Sequence, residues 1–306
     1  MDAAGGLADA RGMHILCGVD ESGAGRQAAF AAARLAQRAG GRLTLLRTTQ
    51  ESVASPPART AASAMRLNVE ADLTPSDAAR RELALLAEEI RGVAGVRADV
   101  RVERGRPADR LLAAAAETNA EMVVIGERTA KWDRLTESAS VPILVVPSGA
   151  TPIVDGDVAL AVAAGRPSTG APAAAARLAV QLGAGITVVH VLASPRAVIE
   201  RVLPMQRAAR DAIDAAAPTG EIDVRHVTAY ERPAADLVRT LRQLDAAVTV
   251  VDAPRRHGWR RLLRPGLSDK VVRARPSPVM IVPAGAAMGS AAADDGVAAG
   301  WLPRAS

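Results

Sequence analysis

The chain is written twice, and a repeat on this scale constrains the fold more than any single motif. Residues 15–46, "ILCGVDESGAGRQAAFAAARLAQRAGGRLTLL", align without a gap with 158–189, "VALAVAAGRPSTGAPAAAARLAVQLGAGITVV", at an offset of 143. "GRPADRLL" at 105–112 meets "ERPAADLV" at 231–238, and "NAEMVVIG" at 119–126 meets "DAAVTVVD" at 245–252, both at an offset of 126. "PILVVPSGA" at 142–150 meets "PVMIVPAGA" at 278–286 at an offset of 136. The fall from 143 to 126 makes the first half 17 residues longer between its second and third strands, in the Ser-, Ala- and Pro-rich stretch 49–77. The rise to 136 makes it 10 residues shorter between its fourth and fifth strands.

Each half reads strand, helix, strand, helix, strand, helix, strand, short helix, strand. The strands are unbroken Val/Ile/Leu runs, as expected where both faces of a sheet are covered. Strands alternating with helices predict a parallel sheet with right-handed crossovers. Pro107 and Pro233 are placed to open helices, where a missing N–H costs least. The fold class expected is α/β: two tandem five-stranded parallel-sheet sandwiches. Residues 13–150 form one domain and 151–286 the other, joined near 149–156, with a flexible N-terminus at 1–12 and a disordered small-residue tail at 287–306.

Composition narrows the function classes. A length of 306 residues suits two ordinary domains. Aromatics make up only 2% of the chain, which leaves few surfaces for stacking bases and weighs against single-stranded nucleic acid. The net charge of +5 is modest and reads as a solvated surface rather than a nucleic-acid footprint. Cys17 is the only cysteine and lies in an apolar run, so it reads as a buried thiol. A chain with one cysteine forms no internal disulfide, which fits the cytoplasm. The first residues, "MDAAGGLADARGM", do not resemble a signal peptide, and no apolar run reaches the length of a membrane span. The histidines, His14, His190, His226 and His257, show no metal-ligand spacing, and His190 reads as a strand-end residue. No Ser/His/Asp set has a recognisable spacing, so the chain is not expected to be an enzyme.

In an open parallel sheet, ligands sit beyond the carboxyl ends of the strands where strand order reverses. That directs attention to the loops after the first and fourth strands of each half. "GAGRQA" at 23–28 spells G-x-G-x-x-A, but it stands away from the strand end and no acid closes the second strand, so the dinucleotide reading is weak. A phosphorylated receiver would need clustered acids after the first strand and a Lys after the last. Only Asp20 and Glu21 are present, and no such Lys follows.

The segments "ILCGVDES", "GRPADRLL", "AEMVVIG" and "VPILVVP", with weaker echoes in the second half, together resemble the universal stress protein family across nearly the whole chain. The resemblance implies an adenine-nucleotide alpha-hydrolase-like fold. In its ATP-binding members, the first-strand Asp contacts the nucleoside. A G-x2-G-x9-G-[ST] loop after the fourth strand holds the phosphates on backbone N–H groups at a helix N-terminus. Asp20 and Gly126 match this pattern in the first half, but the 10-residue deletion removes the rest of that loop. In the second half the loop has full length and its positions have drifted. Ala163 stands for the Asp, Asp252, Arg255 and Pro265 stand for the glycines, and Gly266 stands for the Ser/Thr. The residues left as candidates for contacting ATP or another adenine nucleotide are Asp20, Gly126, Arg255, Gly258, Gly266 and Ser268.

The expectation is therefore a tandem stress-response or regulatory protein that works through protein contacts, with ATP binding lost or weak. The alternative is a sensor in which one half still binds ATP, AMP or another anion. The stretch 254–265 carries Arg255, Arg256, Arg260, Arg261 and Arg264 beside Trp259, Leu262 and Leu263. It reads either as a dock for an acidic partner or phosphate, or as a turn packed on its own domain. The two last strands, "PILVVP" and "PVMIVP", would leave apolar edges. Pairing them within the chain would make a pseudo-dimer of the two halves, and pairing them between chains would make a homodimer.

Overall fold

The computed structural model describes residues 12–49, 74–128, 132–149, 156–163, 170–192, 198–217, 222–230, 234–253, 271, 277–283 and 286. The first half runs β1 (His14–Gly18), α1 (Gly23–Arg38), β2 (Arg42–Thr49), α2 (Pro75–Ala94), β3 (Ala98–Arg104), α3 (Pro107–Glu117), β4 (Met122–Gly126), α4 (Trp132–Ser138) and β5 (Ile143–Val146). The second runs β6 (Val158–Ala163), α5 (Gly170–Leu182), β7 (Ile186–Leu192), α6 (Val198–Ala216), β8 (Val224–Tyr230), α7 (Ala234–Gln243), β9 (Val248–Ala253) and β10 (Val279–Pro283). Pro107 opens α3 as predicted. Pro233, the stretch 50–73, the joint at 150–155, the whole arginine-rich stretch 254–265 and both chain ends lie outside the described residues.

The ten strands form one sheet in the order β3-β2-β1-β4-β5-β10-β9-β6-β7-β8. Within each half all pairings are parallel. The registers reproduce the repeat residue by residue. Ile15 lies beside Leu43 and Met122, and its counterpart Val158 lies beside Ile186 and Val248. Leu43 pairs with Ala98 as Ile186 pairs with Val224, and Val123 pairs with Ile143 as Thr249 pairs with Val279. The offsets read from sequence are thus the offsets of the sheet.

The two halves meet where β10 runs antiparallel to β5, with Met280 beside Leu144. The exposed edges expected at "PILVVP" and "PVMIVP" cover each other. A homodimer through these strands is corrected on physical grounds: β5 is flanked by β4 and β10, and β10 by β5 and β9, so neither offers an edge to another chain. The outer edges of the sheet are β3 and β8. On β3 the sequence ADVRVER puts charge along the edge, and Arg101 pairs with Glu103 and Glu117 at 2.7 Å each, which discourages further strand addition.

Helices cover both faces. Side chains from α1, α2, α5 and α6 pack on one face, and side chains from α3, α4 and α7 on the other. α1 meets the sheet through Ala24, Ala28, Ala29, Ala31, Ala32, Ala33 and Ala36, small side chains that let the helix backbone come close. α2 begins at Thr74, whose Oγ1 accepts from the Asp77 N–H at 3.2 Å and donates to Asp77 Oδ2 at 2.6 Å. Thr74→Ala removes that cap and should cost about 1 kcal/mol, read as a lower urea midpoint at unchanged slope.

Candidate functional site

A cavity of about 570 Å³ opens at the carboxyl ends of the first half's strands. Its floor is apolar, from Gly18, Val19, Leu46, Pro107 and Leu111, and its rim carries Asp20, Glu21, Arg47 and Arg128. It lies next to the gap between β1 and β4, where strand order reverses, so the place predicted from topology is the place where the cavity is found.

Asp20 follows β1 and turns the chain into α1. Its Oδ1 accepts from the Ser22 N–H at 2.9 Å and from the Ser22 hydroxyl. Ser22 is the N-cap, and its Oγ accepts from the Gly25 N–H at 3.2 Å. One Asp20 oxygen is thus committed to shaping the helix start. Gly25 packs so tightly on this turn that a Cβ there would stand 2.4 Å from Asp20 Oδ1 and 2.8 Å from the Asp20 backbone nitrogen. Gly126, at the end of β4, faces the same turn, where a Cβ would stand 2.6 Å from the Ala24 carbonyl carbon. The structure therefore brings Asp20 and Gly126 to opposite sides of one helix N-terminus. The G-x-G-x-x-A match at 23–28 is the start of α1, with Gly25 serving helix-to-strand packing.

The cations of the rim come from two elements. Arg47, on β2, is ion-paired with Glu82 of α2, and its side chain is only 11% exposed. Arg128 follows β4 by two residues and lines the cavity. Sequence reasoning missed both. Arg47 sits in an apolar strand whose inward direction depends on register, and Arg128 lies in a loop that carries none of the expected glycines. After Gly126 the chain turns at once: the Glu127 N–H donates to the Val146 carbonyl at 3.0 Å, and the Glu127 carboxylate accepts from the Ser148 hydroxyl at 2.7 Å. Five residues later α4 begins.

In the second half, register puts Ala163 at the position of Asp20 and Asp252 at that of Gly126, the latter beside Val282 of β10. Arg255, Gly258, Gly266 and Ser268 lie outside the described residues.

Other titratable groups are structural. Cys17 is buried, and burial followed by the Asp20 charge raises its thiol pKa, so it stays protonated. His14 is held at both nitrogens: Nδ1 donates to the Thr118 carbonyl at 2.9 Å, and Nε2 meets Thr44 Oγ1 at 2.9 Å. His190 is an inner residue of β7 and not at its end, and its Nε2 lies 2.9 Å from Nδ1 of His226 on β8. These two histidines are 36 residues apart, and only the β7–β8 register brings them together.

The sequence profile of the universal stress protein family matches residues 13–147 and again 157–283. No curated protein matches the sequence. Among solved structures, a universal stress protein from Archaeoglobus fulgidus DSM 4304 is 16% identical, with 90% of this chain and 98% of that one covered and a TM-score of 0.62. A putative universal stress protein from Pseudomonas aeruginosa UCBPP-PA14 is 17% identical, with 90% and 95% covered and a TM-score of 0.53. At such identities the structures bear on fold alone, whereas the profile spans most of the chain in two consecutive copies. The chain belongs to the universal stress protein family, as a tandem of two such repeats.

Proposed function

We propose that this tandem protein is a non-catalytic stress-response component of the cytoplasm that acts through contacts with partner proteins, and that its ATP binding is lost or weak. The observation that carries the reading is the short connection from β4 to α4. Residues 127–131 separate Gly126 from Trp132, far short of the span that a G-x2-G-x9-G-[ST] loop needs. The segment replaces a run of phosphate-facing amides with a turn whose Glu127 adds negative charge. Asp252 does the same at the equivalent register of the second half. Losing two or three charge-assisted hydrogen bonds costs on the order of 3–9 kcal/mol. At about 1.4 kcal/mol per decade, a micromolar site becomes millimolar or weaker. Titration calorimetry of the full chain with ATP and Mg²⁺ should give no saturable heat below about 1 mM ligand; a submicromolar Kd would overturn the proposal.

The second reading, a nucleotide or other anion held in the first half, draws on the cavity itself. Its volume suits a small molecule, its floor is apolar, and Arg47 and Arg128 supply positive charge. On this reading Arg128→Ala abolishes measurable AMP binding, and Asp20→Asn weakens it.

A further inference from the structure

We propose that His190 and His226 form an acid-sensitive latch at the outer edge of the second half, closed while both rings are neutral and released when either gains a proton. The two rings lie on adjacent strands, on the face covered by α6, with centroids 5.2 Å apart and planes inclined by 19°. The 2.9 Å contact between His190 Nε2 and His226 Nδ1 holds one proton. If both nitrogens carried one, two donors would face each other.

The tautomer follows from burial. His190 is fully buried, and its Nδ1 meets no hydrogen-bond partner among the described residues. A bare buried acceptor is tolerated better than an orphan buried N–H. The His190 proton therefore sits on Nε2 and is donated to His226. Any second proton on His190 must go to Nδ1, where none of the described residues receives it.

Among the described residues, the surroundings offer no counter-charge. On the same face stand Val162 of β6, Val188 and Leu192 of β7, and Val224 and Thr228 of β8. From above come Ala209 and Ile213 of α6 and the Ala- and Leu-lined face of α5. The charged side chain of α6 felt by His226 is Arg210, which is itself paired with Asp214 at 2.9 Å and opposes a second cation. Arg207 and Asp211 of the same helix are exposed.

Burial first, and then the charge of His226, hold the His190 pKa down at about 4 against an ordinary 6.5. Burial and then Arg210 lower that of His226. The unfolded chain therefore binds protons that the folded chain refuses. The latch contributes fully above about pH 6.5 and is lost progressively as pH falls toward 4. From His190 alone, folded-over-unfolded preference should drop roughly 20-fold between pH 7 and pH 5. The first half carries Arg47 and Val100 at the same two registers, and neither side-chain type gains a proton in this interval. Acid should therefore loosen one half and spare the other.

The test is hydrogen–deuterium exchange of the full chain at pH 7 and pH 5, corrected for intrinsic exchange. Protection of 198–217 and 224–230 should fall about 20-fold at pH 5, while that of 14–18, 42–49 and 98–104 holds. In His190→Gln the amide nitrogen can still donate to His226 but cannot titrate, and the acid-induced loss should shrink to the part that His226 contributes. Equal loss in both halves, or an unchanged loss in His190→Gln, overturns the latch. If that variant does not fold, imidazole NMR of the wild-type chain decides. His190 remaining neutral down to pH 5 supports the proposal, and ordinary titration near 6.5 overturns it.

Discussion

Gly126→Ala should destabilise the first half by on the order of 3 kcal/mol, although it adds a single methyl group. That methyl would stand 2.6 Å from the Ala24 carbonyl carbon, 2.7 Å from its oxygen and 2.8 Å from the Gly25 nitrogen. All three are backbone atoms of the first turn of α1, so no side chain can rotate aside. Either β4 shifts in the sheet or α1 lifts from it, and lifting α1 breaks the Ser22 cap and parts the alanine face from the strands. In scanning calorimetry the single transition of the full chain should drop by roughly 5 °C. Gly23→Ala is the control. It lies in the same turn, but a Cβ there meets nothing within 4 Å, so its midpoint should stay near wild type. Equal midpoints for the two variants would mean that the close seat of α1 on β4 is not what Gly126 serves.

The same geometry changes what Asp20 and Gly126 signify. Read as sequence, both matched positions of a nucleotide site. In the fold, one carboxylate oxygen of Asp20 shapes the helix start, and Gly126 makes room for it. These roles suffice to explain the residue types without a ligand, and they leave the other Asp20 oxygen for the cavity.

How much could be read in advance depended on the range of the interaction. The strands were legible because each is a continuous apolar run, and the repeat offsets carry directly into the registers of Ile15 with Leu43 and of Val158 with Ile186. The cavity's position followed from topology alone. Its cations did not. Arg47 becomes a rim residue only once β2 is set beside β1 and α2 brings Glu82 over it. His190 and His226 form a pair only in one register of β7 and β8, and no local pattern fixes that. The choice between an internal and an external partner for the last strands was equally nonlocal, since both pairings satisfy the same backbone groups.

The junction that settled that choice should also be the most coupled point in the chain. Leu144 and Met280 are register partners across the antiparallel pair; both are fully buried and both belong to the core that runs beneath α1 and α5. Leu144→Ala and Met280→Ala should each cost about 2–5 kcal/mol, through lost transfer energy and the cavity left behind. Made together they should cost less than the sum, by about 0.5–3 kcal/mol, because the contact they share is lost only once. Urea unfolding of the full chain supplies the cycle, and it carries a second readout. No other antiparallel pairing joins the described strands, so loosening it leaves the halves held mainly by the covalent joint and by contacts such as Arg38 Nη1 to the Leu182 carbonyl at 3.1 Å. The double variant should therefore unfold in two steps where the wild type unfolds in one. Additive costs with a single transition would place the coupling of the two halves somewhere other than in the β5–β10 pair.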